Sequence, residues 1–195
     1  MKNVFILFFA TLIVLGCNQK SKKETTRQPD NKTENTGYVI TKDGIGDLKI
    51  GLTQDDLEKL LKQKLLLKHA NDTNAWADTA TVKYREIDLS LYFERIYDDG
   101  TTRNFQLSGL GTSSPLCKTA TGIGVGDERS AILAAYEDNP IDMGPESEMV
   151  NDTTWAPSKT KYYINVKDDK WDKQIIFKLI NKKVASLEAS IMMGE

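Results

Sequence analysis

The sequence predicts an α+β domain made of two tandem units, each a helix packed on a three-stranded antiparallel sheet. The two sheets are expected to join edge to edge into one open sheet with both helices on one face. Two observations favour this fold. A glycine-bounded apolar segment followed by a helix start occurs twice, at residues 45–57 and 121–132. Each helix is then followed by a polar loop and by strand-like alternation interrupted by short turns. The units are assigned to residues 38–112 and 113–195.

The chain begins with a segment of secretion-signal composition. Lys2 precedes an almost unbroken apolar run from Val4 to Leu15, and Gly16-Cys17 follows. The run is shorter than the roughly 20 residues of a membrane-spanning helix, which favours a cleaved signal peptide over residues 1–16 rather than an uncleaved anchor. The ending resembles the lipobox of bacterial lipoproteins, whose cysteine becomes the first mature residue and is acylated. The resemblance implies lipidation of Cys17 and a membrane-attached location in the bacterial cell envelope, facing the periplasm or the cell surface.

Residues 17–37 are predicted to form a flexible tether. No aliphatic or aromatic side chain occurs between Asn18 and Gly37, so this segment has too little apolar surface to fold. As a coil it spans about 25 Å. Its basic residues outnumber its acidic ones, which is consistent either with weak attraction to anionic headgroups or with ordinary solubility.

Charge and cysteine content narrow the functional classes. Residues 38–195 carry 20 basic against 25 acidic side chains, and this acidic balance argues against nucleic acid as a partner. After acylation of Cys17, Cys117 is the only remaining thiol. It is interpreted as a small buried hydrophobic residue, with an intermolecular disulfide or redox role as the alternative.

The two helices have recognisable start signals. Thr53 and Asp56 have the spacing of a capping box, and the leucines that follow lie on one face, with Glu58, Lys59 and Lys62 opposite; these leucines are Leu57, Leu60, Leu61 and Leu65. In the second unit Asp127 is predicted to cap a helix that buries Ile132, Ala135 and Tyr136 and ends before Pro140.

The strands are predicted from alternation and turns. In the first unit, strands around Leu89–Phe93 and Phe105–Leu107 flank a turn at Asp98-Asp99-Gly100. In the second, strands at 162–166, 175–179 and 184–191 are separated by turns at Asp168–Lys170 and Asn181–Lys183. Short connections of this kind indicate antiparallel hairpins.

A second likeness relates the two units. Asn71-Asp72-Thr73 with Trp76 recurs as Asn151-Asp152-Thr153 with Trp155. The offset between Gly51 and Gly126 is slightly smaller than the offset between Asn71 and Asn151. The difference predicts an insertion of about five residues around Pro140 to Pro145.

A glycine-bounded strand, a capped helix and an antiparallel meander, repeated after a lipobox, resemble the β-lactamase-inhibitor-protein-like group of tandem-repeat domains. One such unit is similar to the SmpA/OmlA lipoprotein family of the outer-membrane β-barrel assembly machinery, and the whole is similar to envelope lipoproteins of Bacteroidota. The resemblance implies a binding module that is not an enzyme, with a protein partner in the envelope.

Strand alternation independently predicts a binding surface. If Leu89, Leu91 and Phe93 face the helices, then the residues between them face outward. The candidate binding residues are Tyr92, Gln106, Tyr163, Lys178 and Glu188, and the same face is expected to carry Ser90, Ser108, Asn165, Ile176 and Ser186. Rigid tyrosines beside small polar residues are suited to adaptable recognition, and an ordinary solvated sheet face is the alternative.

Little in the sequence indicates catalysis. The only histidine, His69, has no serine or cysteine nucleophile placed near it by a motif. The carboxylates at Asp98-Asp99 and Asp168-Asp169 fit hairpin turns and lack the pattern of an EF-hand loop. We predict no catalytic residue, no metal and no cofactor. The alternative function is an envelope hydrolase or small-molecule-binding lipoprotein with an unrecognised carboxylate-lined site.

Two short sequences suggest a modification. Asp78-Thr79-Ala80 and Asp152-Thr153-Thr154 are similar to an O-glycosylation acceptor pattern of Bacteroidota envelope proteins. A pattern of this length recurs by chance, and the intact mass of the native protein tests for added hexose.

Overall fold

A computed structural model of the chain describes residues 38–68, 78–98, 101–170 and 172–192, with backbone alone at residues 98 and 101–104. The described residues belong to one compact unit, Asn35–Glu195. The predicted signal peptide, Cys17 and the tether lie outside the described residues. So do His69, Asn71-Asp72-Thr73, Trp76 and Asp99-Gly100.

Strands dominate the described structure, and they form two sheets. The first sheet contains β1 (Val39–Thr41), β2 (Gly44–Ile45), β3 (Leu48–Lys49) and β7 (Lys118–Thr119). The second contains β4 (Asp78–Tyr84), β5 (Ile87–Asp98), β6 (Thr101–Thr112), β8 (Ile141–Asn151), β9 (Thr154–Lys167), β10 (Lys173–Ile180) and β11 (Lys183–Ile191). The two helices of the described residues are α1 (Gln54–Leu61) and α2 (Arg129–Ala135).

The large sheet is antiparallel throughout, with the strand order β4-β5-β6-β11-β10-β9-β8. The small sheet has the order β3-β2-β1-β7 and includes one parallel pair, β1 with β7. The pairing of β6 with β11, in which Thr112 lies opposite Leu187 and Gly109 opposite Ser190, joins the earlier strands of the large sheet to the later ones.

The predicted fold class was wrong. Strands make up 59% of the structure and helices only 12%, and a seven-stranded sheet accompanies a four-stranded one in place of two helix-plus-three-stranded units. β4 and β8 form in segments predicted to be polar loops. They lie at the two edges of the large sheet. β8 in particular has few buried side chains, so its sequence does not show the apolar alternation of a core strand.

The start of β8 coincides with the predicted insertion at Pro140 to Pro145. Pro145 is accommodated because the pairing of β8 with β9 shifts register between Pro145 and Ser147, and proline is tolerated at bulges and on edge strands. The turns predicted at Asp168–Lys170 and Asn181–Lys183 do connect antiparallel partners, β9 with β10 and β10 with β11.

One face of the large sheet and both helices share a single hydrophobic core. Phe93, Leu110 and Phe177 are fully buried there, together with Leu57 of α1 and Ile132 of α2. The rings of Phe177 and Tyr136 pack at a centroid distance of 5.8 Å in a tilted arrangement. Burial of this apolar cluster stabilises the fold by about 25 cal/mol per Å² of area removed from water.

α1 begins as predicted and ends earlier than predicted. Thr53 is its N-cap, and the Thr53 Oγ1 accepts a hydrogen bond from the amide of Asp56 at 3.2 Å. The helix stops at Leu61 because Lys62 adopts a left-handed φ of 55°. Leu60 is therefore 39% exposed, and Leu65 is buried from beyond the helix end.

α2 is capped differently from the prediction. Glu128, and not Asp127, occupies the N-cap position, and its side chain makes no capping hydrogen bond. The Asp127 carboxylate instead accepts from the amide of Gly124 at 2.8 Å. Asp127 thus stabilises the glycine turn before the helix.

The two glycine turns make the same backbone arrangement twice. Gly51 and Gly126 have φ values of 94° and 95°, which favour glycine. The amide of Gly51 donates to the carbonyl of Leu107 in β6 at 2.8 Å, and the amide of Gly126 donates to the carbonyl of Val184 in β11 at 2.8 Å. Each turn is therefore fixed to the large sheet immediately before its helix.

Candidate functional site: the open face of the large sheet

The open face is the face of the large sheet opposite the hydrophobic core. Along β10, Ile175 and Phe177 are buried, whereas Ile176 and Lys178 are partly exposed. Ile164 of β9 is 1% exposed. Because side chains alternate along a strand, Tyr163 and Asn165 point to the open face with Ile176 and Lys178.

Four of the five predicted binding residues lie together on this face, and we call them the open-face patch: Tyr92, Tyr163, Lys178 and Glu188. Lys178 lies directly opposite Tyr163 on the neighbouring strand. The Lys178 Nζ is 3.3 Å from Glu188 Oε2, with the lysine side chain 45% and the glutamate side chain 16% exposed. An ion pair with that exposure contributes about 0–1 kcal/mol to stability. It therefore fixes the positions of the two side chains more than it stabilises the fold.

The charges of the patch are coupled to Tyr92. Burial raises the pKa of Tyr92 above its ordinary value of 10.0, and the negative charge of Glu188 raises it further, while Lys178 and a hydrogen bond with Ser90 act in the opposite direction. Burial disfavours the charged form of Lys178, but the charges of Glu188 and Tyr92 outweigh it, and the pKa of Lys178 lies above 10.5. Lys178 therefore stays protonated at neutral pH and is unsuited to act as a general base.

Two glycines leave space between the strands that carry the patch. Gly109 lies opposite Tyr92, and Gly111 lies opposite Glu188. A Cβ atom on Gly111 would stand 3.4 Å from the Cβ of Glu188 and 3.1 Å from the carbonyl oxygen of Leu187. The glutamate side chain thus extends over the bare backbone of Gly111 toward β5.

Tyr163 is held in a similar way. Its hydroxyl oxygen would be 3.0 Å, and its Cζ 3.2 Å, from a Cβ atom on Gly144 of β8. The ring therefore covers the glycine directly across the strand pair. A ring supported in this way loses little side-chain freedom on binding a partner.

Gln106, the fifth predicted residue, does not belong to the patch. It lies opposite Glu94 in the middle of β6, and its Nε2 donates to the carbonyl of Gly51 at 2.7 Å. Its side chain thus helps to hold the first glycine turn against β6. Ser108, also expected to face outward, is only 4% exposed, because it lies at a bulge where its hydroxyl donates to the carbonyl of Tyr92.

Asn165 has an unusual environment on the open face. Its Oδ1 atom is buried and has no hydrogen-bond partner in the described part of the chain. The residue lies between Ile176 of β10 and Asp142 of β8. A buried acceptor without a hydrogen-bond partner costs about 1–3 kcal/mol. Alternation in the sequence predicts the face on which Asn165 lies, but it does not predict this missing hydrogen bond.

Sequence analysis missed a second exposed surface, on the hairpin of β8 and β9. β10 pairs with β9 only between Lys161 and Lys167, whereas β8 pairs with β9 back to Thr154, so the hairpin extends as a two-stranded arm. Met149 and Trp155 face each other across this arm and are 57% and 62% exposed. Most of their neighbours in the sequence are polar, so the sequence shows no apolar pattern that would predict this surface.

A depression lined partly by carboxylates lies beside α1. It has a volume of about 490 Å³, and its lining residues are Asp55, Glu58, Lys59, Lys62, Gln63 and Lys64. Hydrogen bonds from Lys64, from the amide of Leu65 and from Gln54 lower the pKa of Glu58 to about 2. A carboxylate held in its charged form is unsuited to act as a general acid near neutral pH.

The other residues that the sequence singled out differ in their exposure. Cys117 is fully buried, as predicted, and burial raises the pKa of its thiol to about 11. Thr153, in one of the two suggested glycosylation sequences, lies in the exposed turn of the β8–β9 arm, whereas Thr79 lies within β4. No group of three or more histidine, cysteine, aspartate or glutamate side chains is arranged to hold a metal ion within the described ranges.

None of the described helices is long and apolar enough to cross a membrane. No family model, no curated protein and no solved structure matches the chain.

Proposed function

We propose that this protein is a lipid-anchored, non-enzymatic binding module of the bacterial cell envelope, and that it holds a protein partner on the open face of the large sheet. The observation that carries the proposal is the open-face patch, where Tyr92 and Tyr163 flank a partly exposed ion pair. The patch lacks an activated nucleophile or base, and its groups are those of a recognition surface.

The chemistry of the patch indicates what the partner presents. Tyr92 and Tyr163 offer apolar ring faces together with hydroxyl groups, and Lys178 and Glu188 offer one charge of each sign within 3.3 Å. A surface of mixed charge is complemented by a partner surface that also carries both signs and satisfies the hydroxyl groups. A folded protein surface, more than a strongly anionic polymer, has this character.

The proposed anchor gives this surface its location. Acylation of Cys17 would keep the domain at a membrane, since several acyl chains on one cysteine provide stable attachment. The tether of residues 17–37 would allow the domain to reach partners at a distance of about 25 Å. Replacement of Cys17 by serine is expected to release the protein from the membrane fraction and to prevent processing to the mature size.

The proposal is tested by crosslinking in cells, followed by purification of the full-length tagged protein from membranes. A specific protein should copurify with the wild type and be lost from the Tyr92→Ala/Tyr163→Ala variant. Tyr97→Ala is the matched control, because Tyr97 is 58% exposed and lies outside the patch. Retention of the same partner by the double variant, with loss from Tyr97→Ala, would refute the assignment to this face.

A further inference from the structure

A cationic cavity lies at one end of the large sheet, away from the open-face patch residues Tyr92 and Glu188. It has a volume of about 280 Å³ and lies between the first residue of α2, the turn of β10 and β11, and the middle of β9. Its lining residues are Arg129, Lys159, Thr160, Tyr162, Asn181 and Lys182.

The lining carries three cations and, among the described residues, no carboxylate. Neighbouring cations are neutralised: Lys161 lies 2.9 Å from Glu148, and Lys183 lies 3.5 Å from Glu128. Arg129, Lys159 and Lys182 have no such partner within the described ranges. Because residues 38–195 are acidic overall, a concentration of unpaired positive charge at one cavity is a local feature and not the general charge of the domain.

The walls of the cavity are fixed by backbone hydrogen bonds between separate elements. The amide of Arg129 donates to the carbonyl of Lys182 at 2.9 Å, and the amide of Asn181 donates to the carbonyl of Thr160 at 2.9 Å. On β9, the Ser158 hydroxyl accepts from the amides of Thr160 and Lys161. The cationic side chains are thus attached to backbone that is held in place before a ligand arrives.

The turn that contributes Lys182 has an unusual backbone. Asn181 and Lys182 have φ values of 52° and 69°, and a two-residue hairpin turn of this kind favours glycine at its second position. A residue with a side chain is strained in this left-handed conformation, whereas glycine is not. Lysine in place of glycine therefore adds charge to the cavity at a cost to the fold.

A second, smaller cavity adjoins the first and has a different character. Its volume is about 160 Å³, and it shares Arg129 and Tyr162 with the cationic cavity. Its remaining lining residues are Met143, Gly144, Tyr163 and Ile164. The Arg129 Nη2 lies 2.9 Å from the Met143 sulfur, so the guanidinium group stands where the two cavities meet.

We propose that the two cavities together form a binding site for a phosphate monoester. The phosphate would occupy the cationic cavity, where Arg129 can bind it in bidentate fashion and the two lysines add charge. The organic group attached to the phosphate would enter the smaller cavity beside Met143 and Tyr162. A soluble phosphorylated sugar and the headgroup of phosphatidic acid are both phosphate monoesters and share this chemistry.

The test is calorimetric titration of the full-length protein, purified in a neutral detergent, with glucose 1-phosphate, inorganic phosphate and glucose. Glucose 1-phosphate should bind more tightly than inorganic phosphate, and glucose should not bind. Equal affinity for the ester and for inorganic phosphate would overturn the role of the smaller cavity. Short-chain phosphatidic acid is titrated separately, and binding of this lipid without binding of the sugar phosphate would support the site and assign it to headgroups.

Two variants locate the site. Lys182→Gly removes a cation while relieving the left-handed backbone, so it should weaken ester binding by at least about tenfold without lowering the melting temperature. Lys159→Gln should weaken binding to a similar extent. Lys83→Gln, which removes an exposed lysine from β4, is the control for net charge. An equal loss of binding in this control, or no binding of either ester by the wild type, would refute the proposal.

Discussion

Adjacent residues of β10 offer a direct test of which face of the large sheet is open. Phe177 is fully buried and packs against Tyr136, the residue that follows α2, whereas Lys178 lies on the other face and is partly exposed. Since a shift of one residue in register exchanges the two faces of a strand, the two alanine variants should differ greatly in stability. We expect Phe177→Ala to be strongly destabilising and Lys178→Ala to be nearly neutral.

The magnitudes follow from burial. Replacing a fully buried phenylalanine by alanine costs about 3–5 kcal/mol, and loss of the ring contact with Tyr136 places Phe177 toward the upper part of that range. Lys178→Ala removes a partly exposed ion pair and should cost about 1 kcal/mol or less. For a domain of this size, each kcal/mol lowers the melting temperature by about 2–4 °C. The expected falls are therefore about 6–20 °C for Phe177→Ala and at most about 4 °C for Lys178→Ala.

The assay is thermal unfolding followed by circular dichroism, with urea unfolding as an independent measure of the free energy. Both variants are compared with the wild type in the same detergent and at the same pH. Comparable destabilisation by the two variants, or a larger effect of Lys178→Ala, would refute the assignment of faces. The open-face patch would then be part of the core, and the proposed binding surface would be lost with it.

Three further predictions concern ionisable groups. Glu188→Gln should lower the pKa of Tyr92 and of Lys178, because the Glu188 charge raises both; NMR titration measures each shift, and unchanged values would contradict the contact. Cys117, whose pKa is raised to about 11 by burial, should resist thiol reagents in the folded protein and react after unfolding; rapid labelling of the native state would contradict its burial. The pKa of Glu58 lies at about 2, below its ordinary 4.5. Its contribution to stability is therefore present above pH 4.5 and is lost as the pH falls from 4.5 to 2. Denaturant unfolding across this range should show a weaker pH dependence of stability for Glu58→Gln than for the wild type, and an unchanged dependence would contradict the lowered pKa.

Helix caps and turns that depend only on residues close together in the sequence were predicted correctly in several places. Thr53 caps α1 because a threonine followed by an acidic residue at the third position satisfies the first turn. The turn at Asn181–Lys183 follows from a polar interruption between two apolar alternations. The side-chain period of two likewise identified Tyr92, Tyr163, Lys178 and Glu188 as members of one face.

Features that depend on distant pairing were not predicted. β8 has few buried residues, and it forms because β9 offers an edge to pair with, which nothing within residues 141–151 indicates. The sequence indicated Lys182 only as part of a turn. Lys182 lines the same cavity as Arg129 and Lys159 only because three separate elements meet there. Gln106 has the correct alternation but binds Gly51, because a glycine turn from an earlier part of the chain packs against the middle of β6.

The open face as a partner-binding surface is tested most directly by photo-crosslinking from single positions in living cells. A photoreactive phenylalanine derivative is introduced at Tyr92 in one strain and at Ala134 in another; Ala134 is an exposed residue of α2, which packs on the core face. We predict a discrete protein adduct from position 92 and none from position 134. An adduct from position 134 alone, or the same adduct from both positions, would contradict the open face as the binding surface.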